Sequence, residues 1–148
     1  MLKHDLQKYI HKEIPQSRFM EVVVENITED SLSLSAPLEA NINHKNSVFG
    51  GSISSVAILS AWTFLQNKVM ACGVKATLVI HKNSMSYDIP ILGKFTAVAR
   101  FGENADWDKF LETLEIHGKA RIEVVSDVFC DHDVAARLVG SFVALGEQ

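Results

Sequence analysis

The chain has 148 residues, 47% of them hydrophobic, and a net charge of −4 at pH 7, which suits one globular domain over residues 1–148 with a real apolar core. There is no basic excess, so a nucleic-acid partner is not expected. Cys72 and Cys130 stand apart, with no C-x-x-C pair and no metal-ligand spacing; the reading is free thiols in a reducing, cytoplasmic setting, with no metal and no other cofactor.

Met1-Leu2-Lys3-His4-Asp5-Leu6 carries no apolar run after its first lysine and reads as no signal peptide. Leu2, Leu6, Tyr9 and Ile10 recur at helical spacing, and Ile14-Pro15 closes that helix. Residues 20–27, M-E-V-V-V-E-N-I, are rich in β-branched side chains and predict a strand. Thr28-Glu29-Asp30 turns the chain, and Ser31 to Ala36 alternates polar and apolar, a second strand ended by Pro37. Leu38 to Asn46 reads as a loop.

The organising stretch runs from Asn41 to Ala71. A polar loop tightens into Phe49-Gly50-Gly51 and becomes a long helix with no charged side chain between Gly51 and Leu65. A helix apolar on most sides is buried on most sides. Its uncharged run is shorter than the ~20 residues a bilayer requires and is broken by Ser52, Ser54, Ser55 and Ser60, so no membrane span is expected. Its start is different in character: free backbone N–H groups at a helix N-terminus attract negative charge, and glycine lets a ligand approach.

Gly73 stops the helix. Lys75 to Tyr87 predicts a long strand, with Thr77, Val79, His81, Asn83, Met85 and Tyr87 on one face and Leu78, Ile80, Lys82, Ser84 and Ser86 on the other. Lys94 to Phe101 is the next strand. Asn104-Ala105-Asp106 can cap, and Gly118 end, a short helix carrying Trp107, Phe110, Leu111 and Leu114. Lys119 to Cys130 and Val134 to Leu145 are strands joined by Asp131-His132-Asp133, whose composition fits a hairpin tip better than a metal site. One long apolar helix and about six strands bury each other if an antiparallel sheet wraps around the helix, an α+β hotdog fold. A strand as long as residues 75–87 predicts a sheet edge that pairs with a second chain.

Several runs resemble one family: Ile14-Pro15, Leu32-Ser33-Leu34-Ser35-Ala36-Pro37-Leu38, Asn41-x-Asn43, Phe49-Gly50-Gly51-Ser52, Ala61-Trp62 and Tyr87-x-x-Pro90. Together they are similar to the YiiD C-terminal-type putative thioesterases, hotdog domains some of which are malonyl-acyl-carrier-protein decarboxylases. The resemblance implies a homodimer, or a tetramer built from it, acting on acyl thioesters of coenzyme A or acyl carrier protein. The first helix then caps the fold or covers an acyl tunnel. The family's loop asparagine falls on Asn43, seven residues before Gly50, the spacing between active-site asparagine and oxyanion glycine in phenylacetate-type hotdog thioesterases. Phe49 stands where those enzymes have histidine. Ser47 keeps the hydroxyl of the family's usual threonine. His44 departs from the acidic residue often found there.

Asn43, Ser47, Gly50 and Gly51 are therefore the candidate catalytic residues. His44, Phe49, and His81, Asn83 and Ser84 on the long strand are the candidate substrate-binding residues. Backbone N–H groups at Gly50 and Gly51, with the helix dipole behind them, polarise a carbonyl. Hydrolysis also requires a base or a carboxylate nucleophile. In the phenylacetate-type enzymes it is an aspartate eight residues after the first glycine; here that position is Ile58. The missing carboxylate leaves hydrolysis with another base, such as His44 or a partner chain's residue 81, or decarboxylation of a malonyl thioester, which needs no base at the start and is favoured by that absence. A non-catalytic acyl-thioester binding module is the third possibility, since fold alone proves no catalysis.

Overall fold

The computed structural model describes residues 1–147. Helix α1 (Lys3–Glu13) and the single turn α2 (Gln16–Phe19) lead into strands β1 (Val23–Ile27) and β2 (Leu32–Ala36). The long helix α3 (Gly50–Ala71) follows, then β3 (Ala76–Tyr87), β4 (Phe95–Phe101), α4 (Trp107–His117), β5 (Lys119–Cys130) and β6 (Asp133–Gly146). Every strand pair is antiparallel, and the six strands form one sheet in the order β1-β2-β4-β5-β6-β3. The sheet wraps α3, the hotdog arrangement expected from sequence.

α3 has no polar face to offer water, so the sheet covers it. Val56, Ala57, Ala61 and Leu65 are wholly buried, and the small Ala57 and Ala61 let the strands come close. Phe95, Ala97 and Ala99 supply the facing surface of β4. A pair of buried hydroxyls meets across this interface. Ser60 Oγ donates to the Ala57 carbonyl at 2.7 Å and lies 2.7 Å from Ser126 Oγ of β5, so both buried hydroxyls have partners. At the other end of α3 the Lys68 ammonium sits 5.4–5.6 Å from the rings of Phe64, Phe101 and Trp107, which fastens α4 to the helix. Asp106 caps α4 by accepting from Lys109 N at 3.0 Å, and Gly118 closes it at φ 70°, both as the sequence predicts.

Two local expectations are corrected. The first strand begins at Val23 and not at Met20, because Met20 closes the α2 turn and Glu21 has the left-handed φ of 57°; extended chain starts only beyond it. The faces of β3 also differ from simple alternation. The pairing with β6 shifts register between Ile80 and Lys82, leaving His81 as the extra residue of a bulge. Leu78 and Ile80 oppose Ala144 and Phe142, whereas Asn83, Met85 and Tyr87 oppose Gly140, Leu138 and Ala136. All five therefore lie on the helix side, and Lys82, Ser84 and Ser86 on the outer side.

The two sheet edges are treated differently. α1 covers β1: Gln7 accepts from Val24 N at 2.9 Å, His11 Nε2 lies 2.8 Å from the Val22 carbonyl, and Lys3 donates to the Glu25 carbonyl at 3.2 Å. β3 has no such cover among the described residues, and nine of its twelve residues are exposed; this is the long open edge the sequence reading assigns to a second chain. Among the described residues no helix is long and apolar enough to cross a membrane.

Candidate active site

The start of α3 is built from a polar loop and two glycines. Phe49 precedes the helix in an extended conformation, its N–H tied to the Asn41 carbonyl at 2.8 Å. Its carbonyl accepts from Ser52 N at 2.9 Å and Ile53 N at 3.1 Å. No side chain caps the helix, and among the described residues the N–H groups of Gly50 and Gly51 meet no acceptor. Two adjacent unpaired donors at the positive end of a 22-residue helix can bind a carbonyl oxygen or the oxyanion it becomes.

Gly51 is crowded by an aromatic ring, and Gly50 has another at ordinary contact distance. A Cβ on Gly51 would clash with the Phe49 ring, so glycine is what lets that ring fold over the helix start. A Cβ on Gly50 would lie 3.8 Å from Tyr87 Cε1, which puts the far end of β3 beside the same helix turn. The segment after β3 is bound in turn to the loop, because Val48 N donates to the Ile91 carbonyl at 2.8 Å. Phe49 and Tyr87 remain more than half exposed.

Asn43 folds its own loop. Its Oδ1 accepts from Lys45 N at 2.9 Å and Ser47 N at 3.1 Å, and its Nδ2 donates to Ser47 Oγ at 2.9 Å. The backbone closes the same turn, with Asn43 N donating to the Ser47 carbonyl at 2.8 Å and Asn46 in the left-handed region at φ 61°. The amide oxygen is thus committed to the loop, whereas Nδ2, with two hydrogens, needs only one for Ser47. Asn41 is buried and donates to the Met20 and Pro37 carbonyls at 3.0 and 2.9 Å, which pins the loop to the chain entering β1. His44 is exposed at the loop tip.

Beyond the helix start an apolar cavity of about 380 Å³ runs along the same face of α3. Ser55, Ile58, Leu59 and Trp62 form one wall, Leu78 and Ile80 of β3 the opposite one, and Ile14, Gln16 and Met20 close it from the α1–α2 corner. Ser55 lies four residues after Gly51, one turn further on, so the cavity continues the line of the free N–H groups. No acidic residue or histidine lines it. Ile58 faces this cavity.

Asn43, Ser47, Phe49, Gly50 and Gly51 thus lie in one loop-to-helix segment with His44 on its rim. The strand residues lie elsewhere in the chain. His81 is the bulge residue, six positions before Tyr87 and about 20 Å from it along an extended strand. Ser84 is on the outer face, and Asn83 is on the helix side. Sequence reasoning missed Tyr87, Ser55 and Trp62 as wall residues of the site. The bulge had a signal: the apolar positions of β3 change parity, from 78 and 80 to 85 and 87. Among the described residues no group of three or more His, Cys, Asp or Glu side chains converges on a point.

The comparisons agree with this fold. The family model described as "Putative thioesterase (yiiD_Cterm)", YiiD_C, matches residues 3–146. A protein of unknown function from Chlorobaculum tepidum TLS is 26% identical over 98% of this chain and 94% of its own, with a TM-score of 0.91. A putative thioesterase from Shewanella oneidensis is also 26% identical, over 97% of this chain and 96% of its own, with a TM-score of 0.86. A Pseudomonas aeruginosa protein described as a probable thioesterase shares the fold at 15% identity and a TM-score of 0.83, covering 99% of this chain and 97% of its own. With its central helix, wrapped sheet and glycine-led helix start, the chain is a thioesterase-type hotdog domain and belongs to the YiiD_C family.

Proposed function

We propose that this protein is an enzyme of acyl thioesters of coenzyme A or acyl carrier protein, and that its reaction is thioester hydrolysis. The observation that carries the reading is the pair of N–H groups at Gly50 and Gly51, without an acceptor among the described residues, one helix turn before an apolar cavity whose wall begins at Ser55. A thioester carbonyl seated there has its oxygen at the positive helix end, and its acyl chain follows the helix face past Ser55. Asn43 directs its remaining Nδ2 hydrogen towards the same oxygen and, through Ser47, holds the loop that sets the helix start. Negative charge develops on that oxygen in the tetrahedral transition state, where each donor contributes about 100- to 1000-fold in rate.

Water activation comes from outside the cavity, whose lining holds no base. His44 on the loop rim is one source. The other is a second copy of the chain: two β3 edges paired antiparallel carry the partner's His81 across the interface towards this site. The site is complete on this reading only in the homodimer, and a tetramer adds no further chemistry.

The second reading, decarboxylation of a malonyl thioester, is favoured by that same unlined base position. The C–C bond to the carboxylate breaks, its electron pair enters the carbonyl as an enolate held by the Gly50 and Gly51 amides, CO₂ leaves, and the enolate takes a proton to give the acetyl thioester. An apolar wall at Ile58 raises the energy of the malonyl carboxylate relative to neutral CO₂. The same wall opposes binding of that carboxylate, with no cation beside it, and the cavity is far larger than a malonyl group needs. Hydrolysis of a longer apolar acyl group therefore stands first. Mass spectrometry of products from acyl and malonyl thioesters separates the readings: free acid and free thiol for hydrolysis, acetyl thioester for decarboxylation, and unchanged thioester for a binding module.

A further inference from the structure

On the wall of the cavity far from the helix start, one aromatic side chain is held by its neighbours. Trp62 is the last residue of α3 on its wall. The indole Nε1 donates to the Leu78 carbonyl of β3 at 3.0 Å, which fixes the ring against the opposite wall. Tyr9 of α1 lies parallel to it, with ring centroids 6.4 Å apart and planes at 5°. The Tyr9 hydroxyl in turn accepts from Gln66 Nε2 at 3.1 Å, one turn of α3 beyond Trp62. Trp62 is thus held by a hydrogen bond and a stacked ring, and the stacked ring is itself anchored by Gln66.

From these contacts we infer that Trp62 sets the length of the acyl group, and that the substrate carries an unbranched apolar chain of about 8–12 carbons. The inference rests on the reading of this site as one for acyl thioesters. Two independent lengths agree. From Gly51, which holds the carbonyl, to Trp62 is eleven residues of helix, about 16 Å at 1.5 Å per residue. The volume gives the same scale: an apolar cavity of ~150 Å³ holds a benzene ring, so 380 Å³ holds on the order of a dozen carbon atoms. The lining side chains are apolar apart from Ser55, near the carbonyl end, and Gln16 at the α1–α2 corner. A polar or charged acyl group finds no partner deeper in. The N-terminal helix gains a role here: through Tyr9 it braces the end wall, so the first segment of the chain takes part in substrate choice.

The test is a chain-length series read by binding and by turnover. S-alkyl coenzyme A thioethers of 2 to 16 carbons, which cannot be hydrolysed, are titrated against the full-length protein while tryptophan emission is followed; Trp62 lines the cavity and reports occupancy. Affinity rises about fourfold per methylene while each new carbon leaves water and stops rising near 8–12 carbons. Trp62→Ala moves that plateau out by about two to four carbons, with binding followed by calorimetry because the reporter is gone. Ile58→Phe fills the middle of the cavity without opening a void and moves the plateau to shorter chains, which keeps the test available if Trp62→Ala fails to fold. Affinity that is flat across the series, or a plateau unmoved in either folded variant, overturns the inference. The matching acyl thioesters are assayed alongside. Stepwise thioether binding with no thioester consumed refutes catalysis and leaves the length rule standing; turnover indifferent to chain length does the reverse.

Discussion

Asn43→Asp separates two roles that Asn43→Ala would remove together. In the loop, Oδ1 accepts from Lys45 N at 2.9 Å and from Ser47 N at 3.1 Å, and an aspartate oxygen accepts both. The bond from Nδ2 to Ser47 Oγ at 2.9 Å reverses, with the serine hydroxyl donating to the carboxylate, as its 3.2 Å contact with Oδ1 already allows. The loop therefore survives, and stability in urea should stay within about 0.5 kcal/mol of the parent, less than the cost of one lost hydrogen bond. Alanine strands two loop N–H groups and should cost about 1–2 kcal/mol at this half-buried position. Both variants lack the side-chain N–H donor, and thioester turnover, followed by free-thiol release, should fall about 100- to 1000-fold in each. If Asn43→Asp is stable and keeps its activity within about threefold, far below the loss of an oxyanion donor, Asn43 only folds its loop and the proposed donor lies elsewhere.

Gly51→Ala places a methyl against the Phe49 ring; the ring is exposed enough to swing away, and alanine favours helix by up to ~1 kcal/mol, so thermal stability should hold or rise while turnover falls at least about tenfold in the same thiol-release assay. Ser35 Oγ donates to Glu25 Oε1 at 2.6 Å, and this bond, with Lys94 at 3.2 Å, holds the Glu25 carboxyl below its ordinary value against the opposing effect of burial. A lowered folded-state pKa gives stability that is present above the unfolded value and lost as pH falls through the folded one; urea unfolding of the parent and Ser35→Ala should therefore show a gap near neutral pH that narrows in acid below the carboxylate range, and a constant gap would refute the assignment. Sedimentation at micromolar concentration should give a dimer, since the open β3 edge has no cover of its own; a monomer would remove the partner's His81 from the site.

The order and type of the main elements were legible because each is a strong local signal. The uncharged run from Gly51 to Leu65 could only be a buried helix, Asp106 and Gly118 bracket α4 with caps found where the sequence places them, and Lys119–Cys130 is an unbroken strand. Two things escaped. Glu21 takes a left-handed φ with no glycine to announce it, so β1 was read too early. The bulge at His81 is a pairing irregularity, set by how β3 meets β6 and not by either strand alone. It turned Tyr87 towards Gly50 when alternation had grouped it with Thr77 and Val79. At the site, Asn43 and the glycines were visible through motif spacing, and Ile58 through the missing carboxylate. The cavity was not visible, because its walls come from the α1–α2 corner, α3, β3 and β6, and volume between distant elements leaves no periodic mark. Trp62 had the appearance of ordinary core for the same reason; only its bond to Leu78 and its stack on Tyr9 give it an end-wall position.

The most direct test of the account is product analysis by mass spectrometry after incubation with octanoyl, decanoyl, acetyl and malonyl thioesters of coenzyme A and of acyl carrier protein, beside Asn43→Asp and Gly51→Ala controls. Free octanoic and decanoic acids with free thiol, formed faster than acetate and lost in both variants, are the expected result. Acetyl thioester from malonyl substrate as the one product formed would contradict hydrolysis and make the protein a decarboxylase. No thioester consumed by the folded dimer would contradict the central claim that the Gly50–Gly51 helix start is a catalytic carbonyl site.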